Sequence, residues 1–121
     1  MSTETHLYVE TVELIRKHQP DIIINLTTGP GANYIPGIHD LSDGRERSRM
    51  RNAWDRTAHI TVIRPEICSL DFNTMHNGDH SVRLNYMPVL RNMCQLINQA
   101  GTKPELECFD SGDVRIAKQL Q

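Results

Sequence analysis

Three short apolar runs, set between stretches of helical period, restrict the folds open to this chain more than any single motif does. The runs are DIIINLT at residues 21–27, ICSLDF at 67–72 and ELECF at 105–109. Apolar and β-branched runs of this length, closed by Pro, Gly or Asn, read as buried strands. Helical spacing separates them. Tyr8, Val12 and Ile15 share a face in a helix over 5–18, which Gln19-Pro20 closes. A weaker period predicts a helix over 45–59. The clearest stretch has Pro88 in its first turn, Val89, Leu90, Met93, Leu96, Ile97 and Ala100 on one face, and Gly101 where a C-terminal cap belongs. A last helix begins at Ser111-Gly112-Asp113. The order αβαβαβα predicts an α/β fold: about three parallel strands joined by crossover helices.

A length of 121 residues suits one domain, expected over residues 1–121. A net charge of −2 offers no electrostatic footprint for nucleic acid or an acidic membrane, so neither is expected as a partner. The basic run at 45–51 is interrupted by Glu46 and is expected on a solvated helix face. No apolar run approaches the roughly 20 residues that cross a bilayer, and the N-terminus carries no leader pattern. A cytoplasmic protein is expected. Cys68, Cys94 and Cys108 are odd in number and widely spaced, so they read as buried small hydrophobes. Parallel strands want both faces covered, and three of them make a small sheet. The chain therefore reads as a piece of a larger protein.

In parallel α/β proteins chemistry gathers at the carboxyl ends of the strands. The first end presents Thr27, Thr28 and Gly29-Pro30-Gly31; this segment on its own reads as a strand ending in a turn, and the other reading is a loop whose Gly29 and Gly31 N–H groups face a ligand. The second presents Ser69, Asp71, Asn73 and Thr74. The third presents Glu107, Asp110 and Ser111. Hydroxyls and amides suit a carboxylate or a phosphate. Two readings stay open for Thr27 and Ser69: strand residues bonded to backbone, or ligand contacts. Glu107 follows Leu106 and precedes Cys108-Phe109, and a carboxylate in such a strand is costly unless paired or functional. The six histidines show no His-x-His or His-Glu-x-x-His spacing. His76 and His80 are four apart, but Asn77-Gly78 breaks the helix that would align them. No metal ligand is assigned.

Taken in order, IINLTTGPG, RPEICSLDFNTM and KPELECFDSG resemble the β-keto acid cleavage enzyme family, typified by an enzyme of lysine fermentation. The resemblance covers nearly the whole chain. It implies part of a (β/α)8 TIM barrel, from the second helix to the start of the fifth, about two-fifths of a barrel of roughly 250 residues. It also implies zinc-dependent acyl exchange between a β-keto acid and acetyl-CoA, giving acetoacetate and an acyl-CoA, in a protein that is a homo-oligomer at full length. Carried over residue by residue, Thr27, Gly29 and Ser69 fall at substrate-binding positions and Glu107 at a catalytic glutamate. The loop over 29–44 looks longer than in the family and receives no role.

The family's zinc ligands come from a His-x-His after the second strand and a glutamate near the eighth. Neither segment matches residues of this chain. The 121-residue chain is therefore expected to be inactive alone and to associate through its bare strand edges. Two other readings stay beside this one. One is a non-catalytic remnant that docks onto a full-length relative. The other is a small α/β protein that binds phosphate at residues 27–31.

Overall fold

A computed structural model describes residues 4–120; residues 1–3, the start of the polar lead into the first helix, and residue 121 lie outside it. The chain begins with α1 (Thr5–His18), and its parallel strands are β1 (Asn25–Thr27), β4 (Ile67–Asp71) and β7 (Lys103–Glu107). Helices α2 (Ala53–Ile63) and α3 (Met87–Ala100) connect them, and α4 (Ser111–Leu120) follows β7. The sheet order is β1-β4-β7, all parallel. Pro104 is tolerated in β7 because an edge strand leaves one row of its backbone groups outside the ladder.

Period two divides this sheet into two unlike faces. Cys68 and Leu70 point one way and are fully buried, against Ala53 and Ile60 of α2, Leu90, Met93 and Ile97 of α3, and Ala117 of α4. Leu26 and Leu106 pack on the same core. The opposite face carries Asn25 and Thr27 from β1, Ser69 and Asp71 from β4, and Glu105 and Glu107 from β7. The register aligns them: Thr27 with Ser69, Ser69 with Glu105, Asp71 with Glu107. Described helices cover only the apolar face.

Several boundaries differ from the sequence expectation. The first run pairs only from Asn25 onward, and Ile23 is left 66% exposed, because β4 begins opposite Asn25. The second helix starts at Ala53, not near Arg45. Asn52 accepts the Asp55 N–H at 2.9 Å and so caps the helix where the residues before it cannot continue. The basic run is therefore not a helix face. It forms turns and β3 (Arg49–Met50), although its arginines are exposed as expected. Cys68 is buried and Cys94 half-buried, but Cys108 lies past the end of β7 and is exposed, against the expectation for all three.

Stretches in which the sequence predicts no strand instead build a second sheet, with β3 coming from the run expected in a helix. It contains β2 (Ala32–Tyr34), β3, β5 (Met75–His76) and β6 (Val82–Arg83), antiparallel in the order β3-β2-β6-β5. It lies at the carboxyl ends of the parallel strands, where the Arg51 N–H donates to the Gly31 carbonyl at 2.9 Å and the Leu84 N–H to the Ala32 carbonyl at 2.7 Å.

Candidate functional site

Where the polar face of the parallel sheet meets the small antiparallel sheet, a pocket of ≈ 260 Å³ opens. Thr27, Gly29, Asp71 and Glu107 line it from the parallel strand ends; Met75 and Arg83 line it from β5 and β6. A larger concavity of ≈ 740 Å³ lies between α1 and the end of α2. Its polar content is centred on the exposed Arg16–Glu66 ion pair, and it is remote from the strand ends, so the smaller pocket is the chemical one.

Asp71 and Glu107 sit opposite each other on neighbouring strands. Their hydrogen bond, then burial, then the Asp71 charge raise the Glu107 pKa above its ordinary value, while a hydrogen bond with Ser69 pulls the other way. A proton on Glu107 relieves the repulsion that two ionised carboxyls would feel across adjacent strands. Arg83 fixes the other side of Asp71, donating from Nη1 to Oδ2 at 2.9 Å and to the Gly29 carbonyl at 3.3 Å. Gly29 leaves room for this approach: a Cβ there would stand 3.0 Å from Arg83 Nη1 and push the guanidinium aside by a few tenths of an ångström. A carboxyl with a raised pKa beside a held cation equips the pocket to bind an anion and to exchange a proton with it.

Of the residues expected at a site, Thr27, Gly29 and Glu107 meet in this pocket. Ser69 shares their face and bonds Glu107 but is set back from the lining. The Gly29 N–H does not face a ligand. It donates to Thr27 Oγ1 at 3.1 Å, which weakens the reading of residues 27–31 as a phosphate cradle. Thr28 is buried, its hydroxyl bonded to the Ser69 carbonyl at 2.7 Å.

Asp71 was visible in sequence as a strand-end polar residue, but its pairing with Glu107 depends on register. Arg83 carried no signal at all, lying in a stretch with no period. Arg56 and His59 of α2 were also missed. They are buried and reach the end of β1 from behind: Arg56 donates from Nε and Nη2 to the Thr28 carbonyl at 3.2 and 3.1 Å, and His59 Nε2 meets the Thr27 carbonyl at 2.8 Å. Burial pulls the Arg56 guanidinium down to about 10, which keeps it charged at neutral pH. Burial also lowers the His59 pKa, opposed by its bond to Thr27.

Among the described residues, no three His, Cys, Asp or Glu converge as a metal-ligating group. The described residues do not fit a zinc site. No helix among them is long and apolar enough to cross a membrane.

Comparison with known proteins places the chain in a family. A family model described as beta-keto acid cleavage enzyme matches residues 1–121. The chain is 36% identical over 118 residues to the 3-dehydrocarnitine:acetyl-CoA trimethylamine transferase of Rhizobium meliloti, an alignment covering 94% of this chain and 39% of that protein. It is 30% identical over 110 residues to the 3-keto-5-aminohexanoate cleavage enzyme of Fusobacterium nucleatum subsp. nucleatum, covering 91% of this chain and 34% of that protein. The chain thus spans between a third and two-fifths of the length of these curated relatives. With the match running over every residue, this chain belongs to the β-keto acid cleavage enzyme family.

Proposed function

We propose that this chain supplies one wall of an active site that exchanges an acyl unit between a β-keto acid and acetyl-CoA, giving acetoacetate and a new acyl-CoA. The observation that carries the reading is the pairing of Glu107 with Asp71 across neighbouring strands, in a pocket that also holds Thr27, Gly29 and Arg83. The parallel strands β1, β4 and β7 are read as consecutive strands of a (β/α)8 barrel, with their polar face turned to its interior. One helix-free face and active residues at the carboxyl ends of the strands support that reading.

In this arrangement the Thr27 hydroxyl donates to an oxygen of the bound β-keto acid. Gly29 leaves room for Arg83, whose charge holds Asp71 in place. Ser69 orients Glu107 from below. Glu107 keeps the exchangeable proton on a carboxyl oxygen and transfers it to, or recovers it from, the substrate as negative charge develops there. Binding of both a β-keto acid and a coenzyme A thioester is part of the proposal.

The test is turnover. Protein purified from its source organism, supplied with acetyl-CoA and a panel of β-keto acids, is expected to release acetoacetate and the matching acyl-CoA, followed by mass spectrometry. Introducing Glu107→Gln at the chromosomal locus is expected to lower kcat by about a hundredfold, the usual scale for a proton-transfer group. An unchanged kcat removes Glu107 from the catalytic role, and no turnover of any β-keto acid removes the functional reading.

A further inference from the structure

Helix α2 carries two groups that reach consecutive carbonyls at the end of β1. Arg56 takes the Thr28 carbonyl with two N–H groups, and His59, three residues on and so on the same helix face, takes the Thr27 carbonyl. Arg56 is only 2% exposed, and no ion pair joins it to a carboxylate among the described residues. Burying a guanidinium is costly, so its use on a backbone carbonyl calls for a reason.

The reason lies in the peptide that Arg56 holds. A trans peptide directs its C=O and its N–H to opposite sides. With the Thr28 carbonyl turned back toward α2, the Gly29 N–H must point away from it, and there it meets Thr27 Oγ1 at 3.1 Å. A hydroxyl has one hydrogen to donate and two lone pairs. The Gly29 N–H occupies a lone pair, so the Thr27 hydrogen is left for the pocket that Thr27 lines. Glycine makes the alternative cheap, because a peptide flanked by a residue free in φ can rotate. A flipped peptide would turn a carbonyl toward Thr27 Oγ1, capture its hydrogen and leave only an acceptor facing the ligand.

We propose that Arg56 is a positioning residue: its two-pronged hold on the Thr28 carbonyl fixes the Thr28–Gly29 peptide and thereby sets the Thr27 hydroxyl as a donor to the anionic substrate. His59 steadies the preceding carbonyl. In its neutral form, Nε2 must carry the hydrogen because a carbonyl only accepts, and the buried Nδ1 has no partner. Lysine cannot replace Arg56, since one ammonium lacks the fork that grips a carbonyl from two directions. The part concerning substrate rests on the proposed acyl exchange; the part concerning the peptide does not.

Two measurements on the protein from its source test this. The first is hydrogen exchange of the Gly29 amide, read by NMR without substrate. Exchange about tenfold faster in both Thr27→Val and Arg56→Lys is expected, the scale of one lost hydrogen bond. An unchanged Gly29 rate in folded Arg56→Lys overturns the proposal. Should Arg56→Lys fail to fold, an unchanged rate in Thr27→Val overturns it equally. The second is a double-mutant cycle on kcat/KM. Arg56→Lys is expected to cost about tenfold alone and nothing further once Thr27→Val is present, because it acts through that hydroxyl. Equal losses in both backgrounds would show a purely structural arginine and sink the idea. If no β-keto acid is turned over, the functional reading falls, and the amide exchange still decides the role of Arg56.

Discussion

Asp71 and Glu107 show how much at the residue scale depends on which carboxyl faces which across two strands. Glu107 keeps its proton to a higher pH in the folded chain than its ordinary value of 4.5 because Asp71 bonds it. A carboxyl with a raised folded pKa contributes stability that is full below the unfolded value and is lost as pH rises through the folded one. The thermal midpoint of the native protein, compared with Glu107→Gln, is therefore expected to be most favourable below pH 4.5 and to lose ground as pH rises above it. A difference independent of pH would mean that folding leaves the Glu107 pKa unchanged. His59 works in the other direction. Its pKa is lowered by burial, so its contribution is present above 6.5 and declines as pH falls below that value. Thr27, Gly29 and Glu107 were legible as strand-end residues because each sits where a strand pattern ends, and the fold brings them to one pocket. Ser69 was legible as a hydroxyl on the same face, but its place behind the lining was not. Arg83, Arg56 and His59 were not legible, because nothing local in the chain records which distant carbonyl or carboxylate a long side chain will reach.

At the scale of elements, caps and turn geometry decide boundaries that hydrophobic period leaves vague. The start of α2 rests on the Asn52 cap, and Asn52→Ala is expected to cost about 1 kcal/mol in thermal or urea unfolding. Gly31 has φ +92°, and a Cβ there would fall 2.6 Å from Arg51 Cβ. Gly31→Ala is expected to cost more than the cap, about 2 kcal/mol, because left-handed strain adds to a clash with atoms held close to the backbone. A smaller loss than in Asn52→Ala would show that the junction between the two sheets relaxes easily. The strong helix α3 was legible down to its first-turn proline and its Gly101 cap, where φ is +72°. The antiparallel sheet was not, because strands of two or three residues are too short to show period two.

The whole molecule presents an imbalance: helices cover one face of its parallel sheet, and β1 is an open edge flanked by exposed Ile22 and Ile23. Edges of this kind recruit other strands. The 121-residue chain expressed by itself is expected to self-associate in sedimentation velocity at micromolar concentration, and Ile23→Lys is expected to shift it toward monomer. A native chain that stays monomeric would show that the edge is protected in solution. Residues alone determined the alternation of helix and strand, the parallel sheet, the apolar faces and the strand ends where polar groups gather. They could do so because hydrophobic period, caps and turn chemistry act over a few neighbouring positions. Tertiary structure alone decided that Asp71 lies opposite Glu107, that Arg83 crosses from a second sheet to join them, and that α2 holds the end of β1 from behind. Those contacts join residues dozens of positions apart, and the register and packing that set them exist only once the chain has folded.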